Sequence, residues 1–379
     1  MTLWFSATAV TPALSRELQL TPAEASWLTM AVQGGFVAGT LVAAFVNIAD
    51  LVSARTLVCA GAILGAAANA AVLLLPGSWG VIALRCATGV ALAAVYPPAM
   101  KMAASWFRAE RGLALGLLIG ALTLGKAVPY FITTLFGDAW RLPMALASVL
   151  AVLGGVLVLV LAKDGPYLAP ATRFDPHAIR RILSIRGARL AIAGYLGHMW
   201  ELYAMWTWVG VYATASFTAA GLGPASSKAG SLAAFLAIGS GAAGCGLAGY
   251  YSDRVGKARV AGWSLATSAL CAALTVVTFG HPPFWTFALV MVWGFSVVAD
   301  SAQFSALVSE YAPADHVGTA LTFQTSLGFL LTMVTIDVLP RVAAGVGWQY
   351  ASLLLVPGPV LGAVAMRRLT GRVPAESVP

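Results

Sequence analysis

Apolar residues run along this chain in blocks of about 20, separated by short polar or proline-bearing breaks. The blocks fall at about 2–16, 25–47, 56–75, 79–104, 113–135 and 142–162. They resume at about 189–217, 227–250, 260–279, 283–308, 317–339 and 347–366. A helix of about 20 apolar residues crosses the hydrocarbon core of a bilayer. The pattern therefore predicts an all-α membrane protein with twelve transmembrane helices. Breaks such as Pro76-Gly77-Ser78 and Gly280-His281-Pro282 are short, so neighbouring helices should run antiparallel.

The pattern repeats. The stretch Asn47 to Arg55 follows the second block as Gly249 to Arg259 follows the eighth, and it keeps the Asp and the closing Arg. Gly112-Leu113-Ala114-Leu115 matches Gly318-Thr319-Ala320-Leu321. Two six-helix pseudo-repeats are expected, at 1–162 and 189–366, with a cytoplasmic linker at 163–188 and a cytoplasmic tail at 367–379. The linker holds Pro166, Pro170 and Pro176. Asp175-Pro176 there reads as a helix cap, and Ile179, Ile182 and Leu183 share one face beside Arg180 and Arg181. A short amphipathic helix on the inner leaflet is expected. About 64 residues separate the start of the seventh block from Asp253, but only 49 precede Asp50. The first helix is thus expected to be truncated, with the native start upstream of Met1.

Composition agrees with a lipid environment: 60% of residues are hydrophobic and 9% charged, against about 25% charged in a soluble domain. The net charge of +8 is a matter of topology, not of nucleic-acid binding. Arg55, Arg108, Arg111, Arg173, Arg180, Arg254, Lys257, Arg367 and Arg372 fall on one side. Only Arg16, Arg141, Lys228 and Arg341 fall on the other. Basic residues collect on the cytoplasmic side, so the linker and C-terminus are placed there, in a plasma (inner) membrane. Cys59, Cys86, Cys245 and Cys271 lack metal spacing and read as small buried hydrophobes. No ATP-binding loop, nucleophile–base pair or paired axial histidine is visible, so no enzyme and no cofactor is expected.

Gly249-Tyr-Tyr-Ser-Asp253-Arg254-Val-Gly256-Lys257-Ala-Arg259 lies between two blocks of a nearly charge-free chain. It resembles the cytoplasmic signature loop of the major facilitator superfamily, the twelve-helix secondary transporters. The resemblance implies alternating access and a gating role for Gly249, Asp253, Arg254, Gly256, Lys257 and Arg259. It implies that Asp253 faces the N-terminus of the eleventh helix, and that the equivalent Asp50, followed by Leu51 instead of a basic residue, makes a weaker latch. Arg85-Cys-Ala-Thr-Gly89 resembles a fourth-helix motif of the same family. Trp106-Phe107 with Arg111-Gly112 and Ala114 looks like the nitrate- and cyanate-porter-like branches. The cavity arginines that nitrate porters carry in the second and eighth helices are missing here.

Charges at membrane depth are costly and need partners or a wet cavity. Lys126 lies in the fifth block, Glu201 in the seventh with His198 and Met205 on its face, and Asp300 in the tenth with Trp293, Ser296 and Gln303. In the family's fold the first, fourth, seventh and tenth helices line the central cavity. Arg85, Lys126, His198, Glu201, Asp300 and Gln303 are accordingly the expected substrate and proton site; the alternative is structural pairing between the halves. The seventh block is crowded with Tyr195, Trp200, Tyr203, Trp206 and Trp208, of which half are expected to face a cavity. The function expected is proton-coupled transport of a small organic or inorganic anion by a monomer. The coupling proton is assigned to Glu201 or Asp300. The alternatives are export of cationic or drug-like compounds against protons, transport of a transition metal at His198, Met199 and Met205, and a non-transporting sensor.

Overall fold

The computed structural model describes residues 1–46, 48–74, 77–107, 111–137, 139–167 and 174–370, without the side chains of residues 49, 50 and 111. Arg108, Pro170, Arg173 and Arg372 therefore lie outside the described residues, as do the side chains of Asp50 and Arg111. All regular structure among the described residues is helical. The first part of the chain forms α1 (Thr2–Ala9), α2 (Thr11–Leu18), α3 (Pro22–Val46), α4 (Ile48–Leu51), α5 (Ala54–Ala71), α6 (Ser78–Ala93), α7 (Tyr96–Ala104), α8 (Arg111–Phe136) and α9 (Arg141–Leu161). After α10 (Ala178–Ser184) come α11 (Arg186–Ala219), α12 (Ser226–Val255), α13 (Lys257–Thr278), α14 (Pro283–Ala299), α15 (Ser301–Tyr311), α16 (Val317–Val346), α17 (Trp348–Ala351) and α18 (Pro357–Thr370).

Ten stretches among the described residues are long and apolar enough to cross a membrane, against the twelve predicted. The two missing are instructive. The first block is split into α1 and α2 at Val10, where φ is −106° and ψ 9°, just ahead of Pro12. The seventh block is α11, whose 34 residues extend about 51 Å. Its hydropathy is low because Glu201, His198 and its Tyr and Trp residues are polar, and all of these but Trp200 are turned inward and buried.

The helices up to α9 pack mainly on one another, and those from α11 to α18 form a second group. Two seams join the groups, α8 against α12 and α3 against α16. The first seam is a backbone crossing. A Cβ on Gly116 would stand 2.5 Å from the Cys245 carbonyl oxygen, and one on Gly249 2.6 Å from that of Gly112. Only glycine admits so close an approach. The second seam is aromatic, with Phe36 and Phe329 ring centroids 4.8 Å apart.

Proline inside α16 shows how such a helix is kept whole. Pro340 cannot donate to the carbonyl four residues earlier, that of Ile336. The Trp208 indole N–H fills that vacancy at 3.0 Å. The linker helix differs from expectation. Asp175 accepts from the His177 N–H at 2.9 Å, but the apolar face of α10, with Ala178 and Ile182, is buried against α11 and α16. Protein covers that face, because α11 and α16 pack against it.

Candidate functional site

A single cavity stands out between the two groups, at the level where α1, α8, α11, α15 and α16 approach. Its volume is about 50 Å³, room for about three or four waters. Lys126 of α8 reaches into it, about 22 Å along the helix from its start. The ammonium donates to the Tyr203 hydroxyl at 2.8 Å. It also lies over three rings, 5.1 Å from the Trp4 centroid, 4.9 Å from Tyr203 and 4.8 Å from Trp206. Each ring presents the negative face of its quadrupole, worth ~2 kcal/mol when water is excluded. Burying a lysine at the centre of a membrane helix costs about 3 kcal/mol or more. The cage is thus of the right size to hold the charge without a carboxylate.

Among the described residues, no carboxylate lines the cavity. Besides Lys126 and the Met1 α-amino group, its polar groups are hydroxyls, among them those of Thr123, Ser301, Ser305 and Thr325, and the indoles of Trp4 and Trp206. Both indole nitrogens are buried without a hydrogen-bond partner. Behind Trp206, the Tyr130 hydroxyl donates to the Trp206 carbonyl at 2.8 Å.

Of the six residues predicted for the site, only Lys126 lines this cavity. Arg85 is fully buried within the first group and makes five contacts there. It donates to the carbonyls of Leu28 at 3.1 Å, Leu3 at 2.9 Å and Trp4 at 2.6 Å, to Asn69 Oδ1 at 2.9 Å and to Ser6 Oγ at 3.2 Å. Asn69 in turn donates to the Met144 carbonyl and Ser148 Oγ. Arg85 and Asn69 together pin α1 to α3, α5, α6 and α9.

Glu201 faces the interior of the second group. Trp293 Nε1 donates to Oε1 at 2.6 Å and Ser268 Oγ to Oε2 at 2.7 Å. His198 Nδ1 stands 2.8 Å from Asp300 Oδ1, both residues 1% exposed. Gln303 is buried beside them in sequence, with neither amide atom partnered. The expected pairing between halves does not occur: the acids and the bases keep to their own groups. His198, Glu201 and Met205 share a face of α11 that does not line this cavity. On α11 the residues at the cavity are Tyr195, Met199, Leu202, Tyr203 and Trp206, one position round from His198, Glu201 and Met205. On α15 they are Ser301 and Ser305, next to Asp300. Met199 lines the cavity while His198 pairs with Asp300, so the two do not form one ligand set.

The signature loop also differs in detail. Asp253 meets the first turn of α8, not that of α16: a Cβ on Gly112 would lie 2.6 Å from Asp253 Oδ1. The reason is the pairing of α12 with α8, which brings the end of one to the start of the other, where the helix dipole favours a carboxylate. Gly256, at φ +97°, ends α12 in a backbone region open to glycine. Arg254 stacks on Tyr250 at 3.4 Å and donates to its carbonyl. Lys257 pairs with Glu310 of α15 at 2.5 Å, and Arg259 donates to the Val255 carbonyl. These three basic residues make their recorded contacts inside the second group, not across the seam.

Trp4, Tyr203 and Trp206 were the hardest to foresee as a unit. Trp4 comes from a split helix, and a cage is a three-dimensional juxtaposition that no local spacing announces.

The sequence as a whole has recognisable relatives. The family model for the Major Facilitator Superfamily matches residues 1–336. MFS transporter asaE of Aspergillus flavus is 24% identical over 286 residues, which is 72% of this chain and 61% of that protein. The chain thus spans about three fifths of that relative's length. Among solved structures, a mutant of the nucleoside transporter NupG superposes with a TM-score of 0.71 over 97% of this chain and 96% of its own. Its sequence is 14% identical, so the likeness is one of fold.

Proposed function

The chain belongs to the Major Facilitator Superfamily, and on that premise we propose that it is a secondary active transporter of a small anion, bound at Lys126. The observation that carries this reading is a buried ammonium in the wall of the interdomain cavity with no carboxylate beside it. Donors predominate there, and a site rich in donors and poor in negative charge calls for an anionic ligand. A cationic or drug-like substrate would want Glu201 or Asp300 at the cavity, and both are occupied elsewhere.

The two groups, 1–162 and 189–366, would act as two six-helix bodies rocking about the cavity, with twelve crossings of the plasma membrane and a cytoplasmic linker and C-terminus. The working unit is taken as a monomer. Proton coupling is assigned to Asp300 with His198, because Asp300 directly precedes Ser301 of the cavity wall; Glu201 is the second candidate.

Flux in proteoliposomes tests the reading. Nitrate, formate, benzoate and sulfate are offered at two pH values. Saturable uptake of an anion that Lys126→Ala abolishes is the expected result. Uptake that survives Lys126→Ala refutes the site. Full pH-driven uptake in both Asp300→Asn and Glu201→Gln refutes the proton assignment.

A further inference from the structure

We propose that the rings of Trp4, Tyr203 and Trp206 serve as the counter-charge of Lys126 when no anion is bound, so that the unloaded carrier can still reorient. The inference rests on the reading of Lys126 as the anion site.

Three observations carry it. The first is that the cage straddles the seam. Trp4 and Lys126 belong to the first group of helices, Tyr203 and Trp206 to the second. Its contacts can all be made only when the groups are closed on one another at this level. The second is the make-up of the cage: the ammonium donates to the Tyr203 hydroxyl and lies 5.1, 4.9 and 4.8 Å from the ring centroids of Trp4, Tyr203 and Trp206. The third is that, among the described residues, no acid lines the cavity wall.

A carrier must cross its occluded state in every half-cycle. When loaded, the anion compensates Lys126. When empty, a bare ammonium would have to pass through a dry cavity, and a carrier lacking a remedy would be locked into exchange, returning only with a second anion. Ring quadrupoles supply the remedy without competing for the substrate, because they carry no net charge. A carboxylate in their place would cancel Lys126 and expel the anion.

The test compares net flux with exchange in proteoliposomes holding the full chain. Nitrate, formate and benzoate are the probes. Net uptake into empty vesicles requires return of the unloaded carrier; uptake into vesicles preloaded with the same anion does not. Trp206→Leu removes one face of the cage. It is expected to lower net uptake about tenfold relative to exchange, the order of one lost cation–π contact. Trp206→Phe, which keeps a π face, is expected to restore most of the ratio. An unchanged ratio in Trp206→Leu overturns the inference, as does an equal fall in Trp206→Phe. If Trp206→Leu does not fold, Tyr203→Leu reads the same ratio. Probe uptake that is absent in the wild type, or intact in Lys126→Ala, refutes the anion site itself, and the inference falls with it.

Discussion

Arg85 and Lys126 are both buried cations of the first helix group, and the structure gives them opposite jobs. Replacing Arg85 by Lys separates these jobs, because it keeps the charge and discards the fork. The guanidinium makes five contacts with five acceptors: three backbone carbonyls, one amide oxygen and one hydroxyl. An ammonium has three N–H groups and a shorter reach, so at least two of these bonds must go. Hydrogen bonds from a charged donor contribute ~1.5–3 kcal/mol each, while interhelical bonds in membranes reach at most about 1.7. Two losses therefore cost about 3 kcal/mol, and the orphaned carbonyls of α1 add to it. The expected result is a clear loss of stability, read by thermal unfolding in detergent, and less folded protein in the membrane. The substrate affinity of the protein that does fold should stay near that of the wild type. Lys126→Ala should behave in reverse, with near-normal stability and lost uptake. An Arg85→Lys protein as stable as the wild type, but with KM raised tenfold or more, would refute the reasoning and return Arg85 to the substrate site.

The glycine seam makes a second prediction. Gly249→Ala puts a Cβ 2.6 Å from the Gly112 carbonyl oxygen, which is backbone and cannot swing away. α8 and α12 must part at the Asp253 end, at a cost of about 1–3 kcal/mol; cysteine crosslinking between the two helix ends should show looser closure, and unchanged crosslinking would refute it. Trp293→Phe leaves Glu201 Oε1 without its donor in a buried site, so the unfolding midpoint should fall by the equivalent of about 1–3 kcal/mol, and an unchanged midpoint would count against the contact. At the opposite end of the molecule, Arg141 foremost and then the Trp140 indole hold the Glu17 carboxyl below its ordinary value of 4.5. A lowered pKa means the contribution is present above about 4.5 and is lost as pH falls through the folded value. The difference in melting temperature between wild type and Glu17→Gln should be constant from neutral pH to about 5 and shrink below that; a difference that grows in acid would contradict the pairing.

The legibility of the chain was uneven for physical reasons. The signature loop is local and polar between apolar runs, so its place at a helix end could be read directly. Its partner could not, because α8 or α16 as the neighbour of Asp253 depends on how the groups dock. Lys126 was visible as a charge where charges are costly. Its cage was not, since Trp4, Tyr203 and Trp206 meet only after α1, α8 and α11 are packed. Periodicity put Glu201, His198 and Met205 on one face of α11 but could not say which way that face turns. The face with Tyr203 and Trp206 went to the cavity, and the acids found Trp293, Ser268 and each other's neighbours inside the second group.

The sequence by itself determined the solvent and the secondary structure: apolar runs of bilayer length can satisfy their backbone only as helices in lipid. It also determined the family, through a charged loop that lipid confines to a helix end. Tertiary structure decided which buried charge is scaffold and which is site. Arg85 and Lys126 are both buried, and their neighbours tell them apart. Arg85 is met by five acceptors of its own group, whereas Lys126 is met by aromatic rings from both groups and lines the cavity between them.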